Sequence, residues 1–386
     1  MRIAFIGQKG IPTSQGGIEK HVEELSTRLV EQGFDVTVYG RPNYTGDSRK
    51  EYEYRGVKII QLPSLATKHL DAITHTFVAT IHALFQNYDI IHYHGVGPSL
   101  LSFIPRLLKP HAKVVVTFHC IDRTHQKWGR FARLALAIGE WTAVTFPHET
   151  IVISNILKKY CLYRFDKECR YIPNGVAVNQ SEEEEYSLIK NGLIAGEYII
   201  AVSRLVPHKG IHTLIKAYSS IATDKKLVII GDGANTDAYV AQIKSLAKSN
   251  PSIILAGLKS GNELAALFKN AYLFVQPSEA EGLSIALLEA MAYGVPAIIS
   301  NIEENQEPAE GLALEFINKS WESLAKKIEF ALANSVEIKR LADLAQKRVA
   351  TEYDWQDIAQ QTSALYRELT KEKQLGVLTA KYKHNG

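Results

Sequence analysis

The sequence has few cysteines and no long hydrophobic run, and both absences narrow the kinds of protein it can encode. Its 386 residues include three cysteines, Cys120, Cys161 and Cys169. They lack metal-ligand spacing, so we expect a reducing compartment and neither a disulfide scaffold nor a structural zinc site. No stretch approaches the ~18 apolar residues of a membrane span, and residues 1–7 are too short for a signal peptide. A cytoplasmic protein is therefore expected.

Several catalytic motifs are also missing. The sequence contains no D-x-D, H-E-x-x-H or G-x-S-x-G pattern. A metal-bridged diphosphate site, a zinc hydrolase and a serine hydrolase are therefore not predicted. The charge is uneven, because residues 1–175 hold 22 Lys/Arg against 15 Asp/Glu whereas the remainder holds 22 against 26. Such a diffuse basic half is compatible with nucleic acid, an anionic membrane surface or phosphorylated ligands.

The order of predicted elements is that of two α/β domains. Strands and helices alternate through residues 1–173, with a helical stretch expected near 97–108, and again through 197–354. A polar, acidic stretch, 174–196, is the predicted linker. Residues 355–386 are expected to form a helix that packs back on the N-terminal domain, followed by a tail. Ligands of doubly wound, Rossmann-like sheets bind at the carboxyl ends of strands, so we expect the two domains to face each other across a cleft.

Two loops before predicted helices are candidate phosphate sites. Glycines at Gly16 and Gly17 allow backbone amides to approach a phosphate, although the spacing matches neither a P-loop nor G-x-G-x-x-G and a tight turn is the alternative. In S-R-L-V-P-H-K-G, Arg204 and Lys209 flank a turn and suit a diphosphate. Cations at a helix N-terminus oppose its dipole and favour an anion nearby, whereas plain surface charge is the alternative.

Histidines end two neighbouring predicted strands. His119 follows V-V-V-T-F, and His92 and His94 close the strand before it. One histidine at a strand end is commonly structural, but three at neighbouring ends favour a ligand site, with His119 as the first candidate.

Basic and aromatic residues alternate in two segments of the N-terminal half. They could contact membrane headgroups, a lipid-linked phosphate or an acceptor. The alternative is that arginine stems cover an amphipathic helix. The candidate contacts are Arg106, Lys109, Lys127, Trp128, Arg130 and Arg133.

The segment 278–296 contains the clearest local pattern, S-E-A-E-G-L-S-I-A-L-L-E-A-M-A-Y-G-V-P. Strong helix formers run to Gly294 and Pro296, which predicts a buried helix starting near Ser284. Glu289 is the one carboxylate within it and needs a partner, since an unpaired buried charge is costly. Glu281 precedes the first turn, close to a helix N-terminus that attracts anions. Pairing of Glu289 with a structural arginine is the alternative.

Together with I-I-G-D-G and P-N-G, these motifs resemble glycosyltransferase family 4, whose members are retaining GT-B enzymes that use nucleotide sugars. The resemblance covers essentially the whole chain. The opening G-Q-K-G-I-P-T-S-Q-G-G-I-E-K-H-V-E-E-L is similar to a bacterial subgroup that includes rhamnosyltransferases of surface polysaccharide assembly.

The resemblance implies a role for each candidate. Glu281 and Glu289 match an E-x7-E motif, in which the first acid holds hydroxyls of the donor sugar and the second the ribose. Arg204 and Lys209 match the diphosphate clamp. The remaining assignments are Gly16 and Gly17 at the donor phosphate, His119 near the sugar, the amides of Gly282, Leu283 and Ser284 at sugar and phosphate, and Gly257 and Leu258 beside the base.

The implied reaction is a retaining, metal-independent transfer of a hexosyl or deoxyhexosyl group. The donor would be a nucleotide diphosphate sugar, with UDP slightly favoured over GDP and dTDP. A saccharide or lipid-linked saccharide in bacterial polysaccharide or glycolipid assembly would be the acceptor, with no nucleic acid involved and peripheral association with the cytoplasmic face of the inner membrane. The alternatives are a nucleotide-sugar epimerase of the same fold and a non-catalytic nucleotide-binding scaffold.

Overall fold

The first strand, β1 (Arg2–Ile6), lies inside an eight-stranded sheet. The computed structural model describes residues 1–13, 16–46, 49–67, 70–121, 123, 129–178, 188–233 and 236–383. The side chains from Ile3 to Ile6 are completely buried, as a strand covered on both faces requires. Strand β1 pairs in parallel with its neighbours, Ile3 lying opposite both Val36 and Ile90. The order across the sheet is β3 (Glu51–Tyr54), β4 (Val57–Gln61), β2 (Asp35–Gly40), β1, β5 (Ile90–His94), β6 (Lys113–Phe118), β7 (Glu149–Val152) and β8 (Arg170–Tyr171).

This sheet belongs to a unit made of Met1–Asn174 and Trp355–Gly386. Every pairing in it is parallel except that of β3 with β4. The helical stretch predicted near 97–108 is present but interrupted, because its helical residues form two short segments separated at 100–102. The helices of this part are α1 (Gly17–Glu31), α2 (Pro42–Thr45), α3 (Asp71–Leu84), α4 (Val96–Ser99), α5 (Phe103–Leu108), α6 (Arg130–Thr145) and α7 (Asn155–Phe165).

The second unit, Gly175–Asp354, contains a six-stranded sheet whose pairings are all parallel. Its order is β11 (Ile253–Gly257), β10 (Lys226–Ile230), β9 (Tyr198–Val202), β12 (Leu273–Gln276), β13 (Ala297–Ser300) and β14 (Leu314–Phe316). The core is aliphatic, with Ile199, Leu214, Leu227 and Ile298 completely buried. The helices are α8 (Ile211–Tyr218), α9 (Asp237–Lys248), α10 (Gly261–Lys269), α11 (Ile285–Ala292), α12 (Glu303–Ala309), α13 (Trp321–Ala333) and α14 (Ser335–Glu352).

The last helix, α15 (Trp355–Lys383), returns to the first unit. Trp355 is buried there beneath the Arg28 guanidinium, which lies 5.8 Å from the ring centroid. The Tyr366 hydroxyl lies 2.6 Å from Nδ1 of His92, so this helix is hydrogen-bonded into the first sheet. None of the helices in the described ranges is both long enough and apolar enough to span a bilayer. Two parallel α/β sheets confirm the predicted fold class.

Candidate active site

The turn after β9 places the predicted diphosphate residues. Leu205 donates a backbone hydrogen bond to Asp232 and the Thr236 hydroxyl donates to the Leu205 carbonyl, at 2.8 and 2.7 Å, which fixes the start of the turn. Its last residues, Pro207–Lys209, form a single 3-10 turn that leads into α8. Arg204 is exposed, and Lys209 is directed toward the loop that follows β12.

A glycine locks these two loops together. Gly210 has φ +66°, and a Cβ there would lie 2.0 Å from the carbonyl oxygen of Pro277. Only glycine fits this left-handed conformation and this approach. Beside this contact, the Glu279 amide donates a 2.8 Å hydrogen bond to the His208 carbonyl. The carboxyl ends of β9 and β12 therefore present one continuous, rigid surface.

Glu281 is a largely buried carboxylate of that surface. Its Oε1 forms an ion pair with the Lys209 ammonium and accepts a 2.6 Å hydrogen bond from the Gln276 side-chain amide. The Glu281 and Lys209 side chains are only 7% and 14% exposed. No residue in the described part of the chain donates to Oε2, so one oxygen is anchored and the other is left for a ligand.

A further carboxyl group lies near Glu281. Burial raises the pKa of Glu304, in the first turn of α12, and the negative charges of Glu281 and Glu303 raise it further. A carboxyl group held in this way takes up a proton more readily than an ordinary glutamate. Neither Gln276 nor Glu304 stood out in the sequence; the signal for Gln276 was its position at the end of a predicted strand.

Helix α11 begins where the sequence predicted. Ser284 is its N-cap, accepting a 3.2 Å hydrogen bond from the Leu287 amide, and Gly294 ends the turn beyond it at φ +67°. Leu283 and Ser284 are buried and Gly282 is half-buried at the positive end of the helix. Glu289 lies half-buried on the second turn.

The predicted base-side residues close a neighbouring strand. Gly257 ends β11 at φ +69°, and its carbonyl accepts a 2.9 Å hydrogen bond from the Gly231 amide. Leu258 follows with half of its surface exposed. An exposed aliphatic side chain at a strand end offers a face on which a flat base can lie.

In the first unit, Gly16 caps α1 at φ +107°, and Gly17 is the first helical residue. The space beside Gly16 is filled by the Glu19 carboxylate, which would lie 2.0 Å from a Cβ there and which accepts from the Lys9 amide at 3.1 Å. The helix N-terminus thus already carries an internal anion. Glu19 was not singled out in the sequence, although a glutamate at the third helical position is a common capping signal.

The strand-end histidines form a buried cluster that also includes His21 of α1. Nδ1 of His94 lies 3.3 Å from Nε2 of His119, and Nδ1 of His21 lies 2.9 Å from Oδ1 of Asn174. Burial lowers the pKa of His21 to about 4 and that of His94 and His119 well below the usual range. These imidazoles are therefore neutral at pH 7.

The histidine cluster is also the place where the described residues could hold a metal. One nitrogen from each of His21, His94 and His119 lies within 4.8 Å of the others, and three imidazoles are a ligand set suited to zinc. His92 is occupied differently, by the hydroxyls of Thr117 and Tyr366. The absence of a catalytic metal stays a prediction.

The predicted membrane or acceptor residues are placed on two helices. Arg106 is exposed on α5, and Arg130 and Arg133 are exposed on α6. Lys109 follows α5 and donates to the Leu84 carbonyl at 2.9 Å. Lys127 and Trp128 lie outside the described residues.

Two family models match the chain in tandem. The model for Glycosyltransferase Family 4 matches residues 15–180, and that for Glycosyl transferases group 1 matches residues 190–348. An uncharacterized glycosyltransferase of Methanocaldococcus jannaschii is 25% identical, covering 95% of this chain and 98% of its own. The Escherichia coli UDP-Gal:alpha-D-GlcNAc-diphosphoundecaprenol alpha-1,3-galactosyltransferase is 28% identical over 57% of this chain and 59% of its own.

The fold has a close structural counterpart. Sucrose-phosphate synthase from Thermosynechococcus elongatus superimposes with a TM-score of 0.83, covering 96% of this chain and 99% of its own at 22% identity. The protein is a glycosyltransferase with the GT-B fold. Within that class it is similar to family 4, and its reaction is sugar transfer.

Proposed function

We propose that this protein is a retaining, metal-independent glycosyltransferase whose donor is a nucleotide diphosphate sugar. The observation that carries the proposal is the paired Lys209–Glu281 at the positive end of α11. A cation and a carboxylate in direct contact match the two halves of such a donor, which is anionic at the diphosphate and rich in hydroxyls at the sugar.

The donor diphosphate binds Arg204 and Lys209. Arg204 is exposed at the end of β9 and supplies a forked donor, and Lys209 supplies a point charge. The amides of Gly282, Leu283 and Ser284 add the partial positive charge of a helix N-terminus. These groups stabilise the negative charge that develops on the leaving diphosphate, which is the dominant catalytic contribution expected here.

The sugar is held by Glu281, which is a carboxylate whose Oε1 is already fixed by two donors. Its other oxygen accepts hydrogen bonds from donor hydroxyls, and because it does not need to reorient, binding costs little side-chain entropy. Glu289 holds the ribose, Gly257 and Leu258 lie beside the base, and Gly16, Gly17 and His119 contribute as the family resemblance implies.

The transfer exchanges one C–O bond for another. The anomeric carbon's bond to the diphosphate oxygen breaks, and the acceptor hydroxyl oxygen bonds to the same face of that carbon. A donor phosphate oxygen takes the hydroxyl proton, so configuration is retained and no protein nucleophile is consumed. Excluding water from the site makes hydrolysis of the donor a poor competitor.

We favour a UDP-sugar and an acceptor in bacterial polysaccharide or glycolipid assembly, with the enzyme peripheral to the membrane. The Escherichia coli relative supports both choices, since its name specifies UDP-galactose and a sugar linked to undecaprenyl diphosphate. That support is similarity alone, over little more than half of the chain.

The direct test is to incubate the full chain with UDP-, GDP- and dTDP-sugars, with and without saccharide acceptors and in EDTA. Transfer that requires the acceptor, survives EDTA and keeps the donor's anomeric configuration by NMR is expected. Donor conversion without acceptor would identify an epimerase instead. Nucleotide binding with neither reaction would identify a scaffold, and loss of transfer in EDTA would refute metal independence.

A further inference from the structure

Helix α6 carries an apolar stripe that faces solvent. Phe131, Leu134, Ile138 and Trp141 are spaced by three, four and three residues, so they share one side of the helix. Phe131 is 91% exposed and Leu134 61% exposed. In a globular protein such a stripe ordinarily faces the core, and contiguous exposed apolar surface marks an interaction site.

The stripe continues onto α5. The centroid of the Phe146 ring lies 5.4 Å from that of Trp141 and 5.8 Å from that of Phe103, so aromatic contacts join the two helices. Leu107 and Leu108 extend the surface and are 66% and 70% exposed. We call this surface the α5–α6 face; it comprises Phe103, Leu107, Leu108, Phe131, Leu134, Ile138 and Trp141.

The exposed charges on the two helices of the α5–α6 face have one sign. Arg106, Arg130 and Arg133 are exposed on the same two helices. The single acidic residue of these helices is Glu140, whose side chain is 1% exposed and is paired with Arg123 at 2.9 Å. Two helices that present apolar side chains and exposed arginines, with no exposed carboxylate of their own, are complementary to an anionic bilayer, which attracts basic residues and admits apolar ones.

An open depression of about 480 Å³ lies beside this surface, and the described residues that line it are Arg123, Arg133, Leu134 and Ala137. Arg123 is held in place, because it donates to Glu140 and, at 3.0 Å, to the Tyr160 hydroxyl. Across the described residues, Arg133 has no acidic partner. Two guanidinium groups with an apolar wall suit a phosphate attached to a hydrocarbon chain.

We propose that the α5–α6 face docks on an anionic lipid bilayer and that the open depression between Arg123 and Arg133 receives a lipid phosphate headgroup. Phe131 and Leu134 enter the headgroup–acyl boundary while the arginines contact phosphates. This deepens the proposed peripheral association by naming the surface and the lipid chemistry. It is tested without any sugar donor, so its failure leaves the transferase proposal intact.

The test is flotation of the full chain with vesicles of phosphatidylcholine, alone or mixed with phosphatidylglycerol. We expect salt-sensitive binding to the mixed vesicles only. Phe131→Ser with Leu134→Ser should weaken the partition coefficient by more than about tenfold, because two large side chains no longer leave water. Arg133→Gln should weaken it about fivefold, the effect of one basic residue near an anionic surface.

Matched controls separate the surface from general effects. Val336→Ser removes an exposed apolar residue of the second unit, and Arg164→Gln removes an exposed cation of α7; neither should change partitioning. Thermal unfolding verifies that every variant folds. Equal binding by the wild type and the α5–α6 variants, or no binding to either vesicle, would overturn the proposal. So would a dimer in sedimentation that the serine variants dissociate, since a second copy would then cover the face.

Discussion

The ion pair between Lys209 and Glu281 can be tested by a double-mutant cycle, because its partners are 72 residues apart and both largely buried. Lys209→Met leaves Glu281 with one donor, Gln276, in a site of low exposure. Removing one partner of a fully buried pair costs about 3–5 kcal/mol, and the remaining amide and partial exposure reduce that to about 2 kcal/mol here. Glu281→Gln keeps an acceptor oxygen for both donors and should cost about 1 kcal/mol.

The coupling free energy between Lys209 and Glu281 shows whether the two residues act as a pair. In the double variant neither a buried unpaired carboxylate nor a buried unpaired ammonium remains, so its loss of stability should fall short of the sum of the single losses by at least about 1 kcal/mol. Hydrogen exchange of peptides spanning 207–211 and 278–292 measures the local opening free energy in the second unit. Additivity within about 0.5 kcal/mol would refute the view that the pair rigidifies the site.

The same variants separate binding from turnover. Lys209→Met should lose affinity for nucleoside diphosphates in calorimetric titration, because the Lys209 ammonium is the proposed partner of the diphosphate. Glu281→Gln should retain that affinity within about twofold and lose most of its turnover, since the proposed role of Glu281 is to hold the sugar. Wild-type turnover by Glu281→Gln would remove Glu281 from the donor site.

Three further perturbations follow from the geometry. Arg204→Ala, at an exposed position, should change the free energy of unfolding by less than about 0.5 kcal/mol yet weaken nucleoside diphosphate binding about tenfold, as calorimetry can show; unchanged affinity would contradict its role. Gly210→Ala should destabilise the second unit by more than about 2 kcal/mol in urea unfolding. The control Gly192→Ala has a similar φ but nothing within 4 Å of a new Cβ, so it should cost about 1 kcal/mol. Equal losses would show that the close contact between residue 210 and the Pro277 carbonyl is unimportant. Because burial lowers the pKa of His21 to about 4, its neutral form contributes fully to stability above pH 6.5. As the pH falls from 6.5 toward 4, the unfolded chain takes up the proton first, and the free energy of unfolding should fall by up to about 1.4 kcal/mol per pH unit. If this pH dependence is unchanged in His21→Gln, the lowered pKa of His21 is not its source.

Much of the fold follows from local pattern. The buried run of β1, the helix-forming run of α11 and the start of that helix near Ser284 are all set by neighbouring residues, and the structure confirms them. The break between α4 and α5 was missed, because Leu100–Leu101–Ser102 carries no glycine or proline to signal it. Strand β3 was missed as well: E-Y-E-Y is half-exposed and polar, and its pairing with β4 depends on a turn.

The residues of the candidate site stood out singly in the sequence and their roles stay predictions, but the contacts between them could not be predicted. Loops after β9 and β12 carried recognisable patterns, yet nothing in the sequence joins Lys209 to Glu281, or Gly210 to Pro277. His21 was missed for a related reason, since it lies inside an amphipathic helix and meets His119 only through tertiary packing. Contacts between residues far apart in sequence need the sheet order, which periodicity does not supply.

Those connections change how the acidic segment of 278–296 should be understood. By itself it is a helix with two carboxylates eight residues apart. Joined through Gly210 to the turn after β9, it has one carboxylate oxygen fixed by a cation that is also the proposed diphosphate ligand. A donor that draws the Lys209 ammonium toward its phosphates would weaken the hold on Oε1 and strengthen the acceptor character of Glu281 toward sugar hydroxyls. In the proposed site, recognition of the sugar and of the diphosphate is then coupled through one ion pair. A nucleotide without the sugar should gain less from the movement of Lys209, because it has no sugar hydroxyl to donate to Glu281.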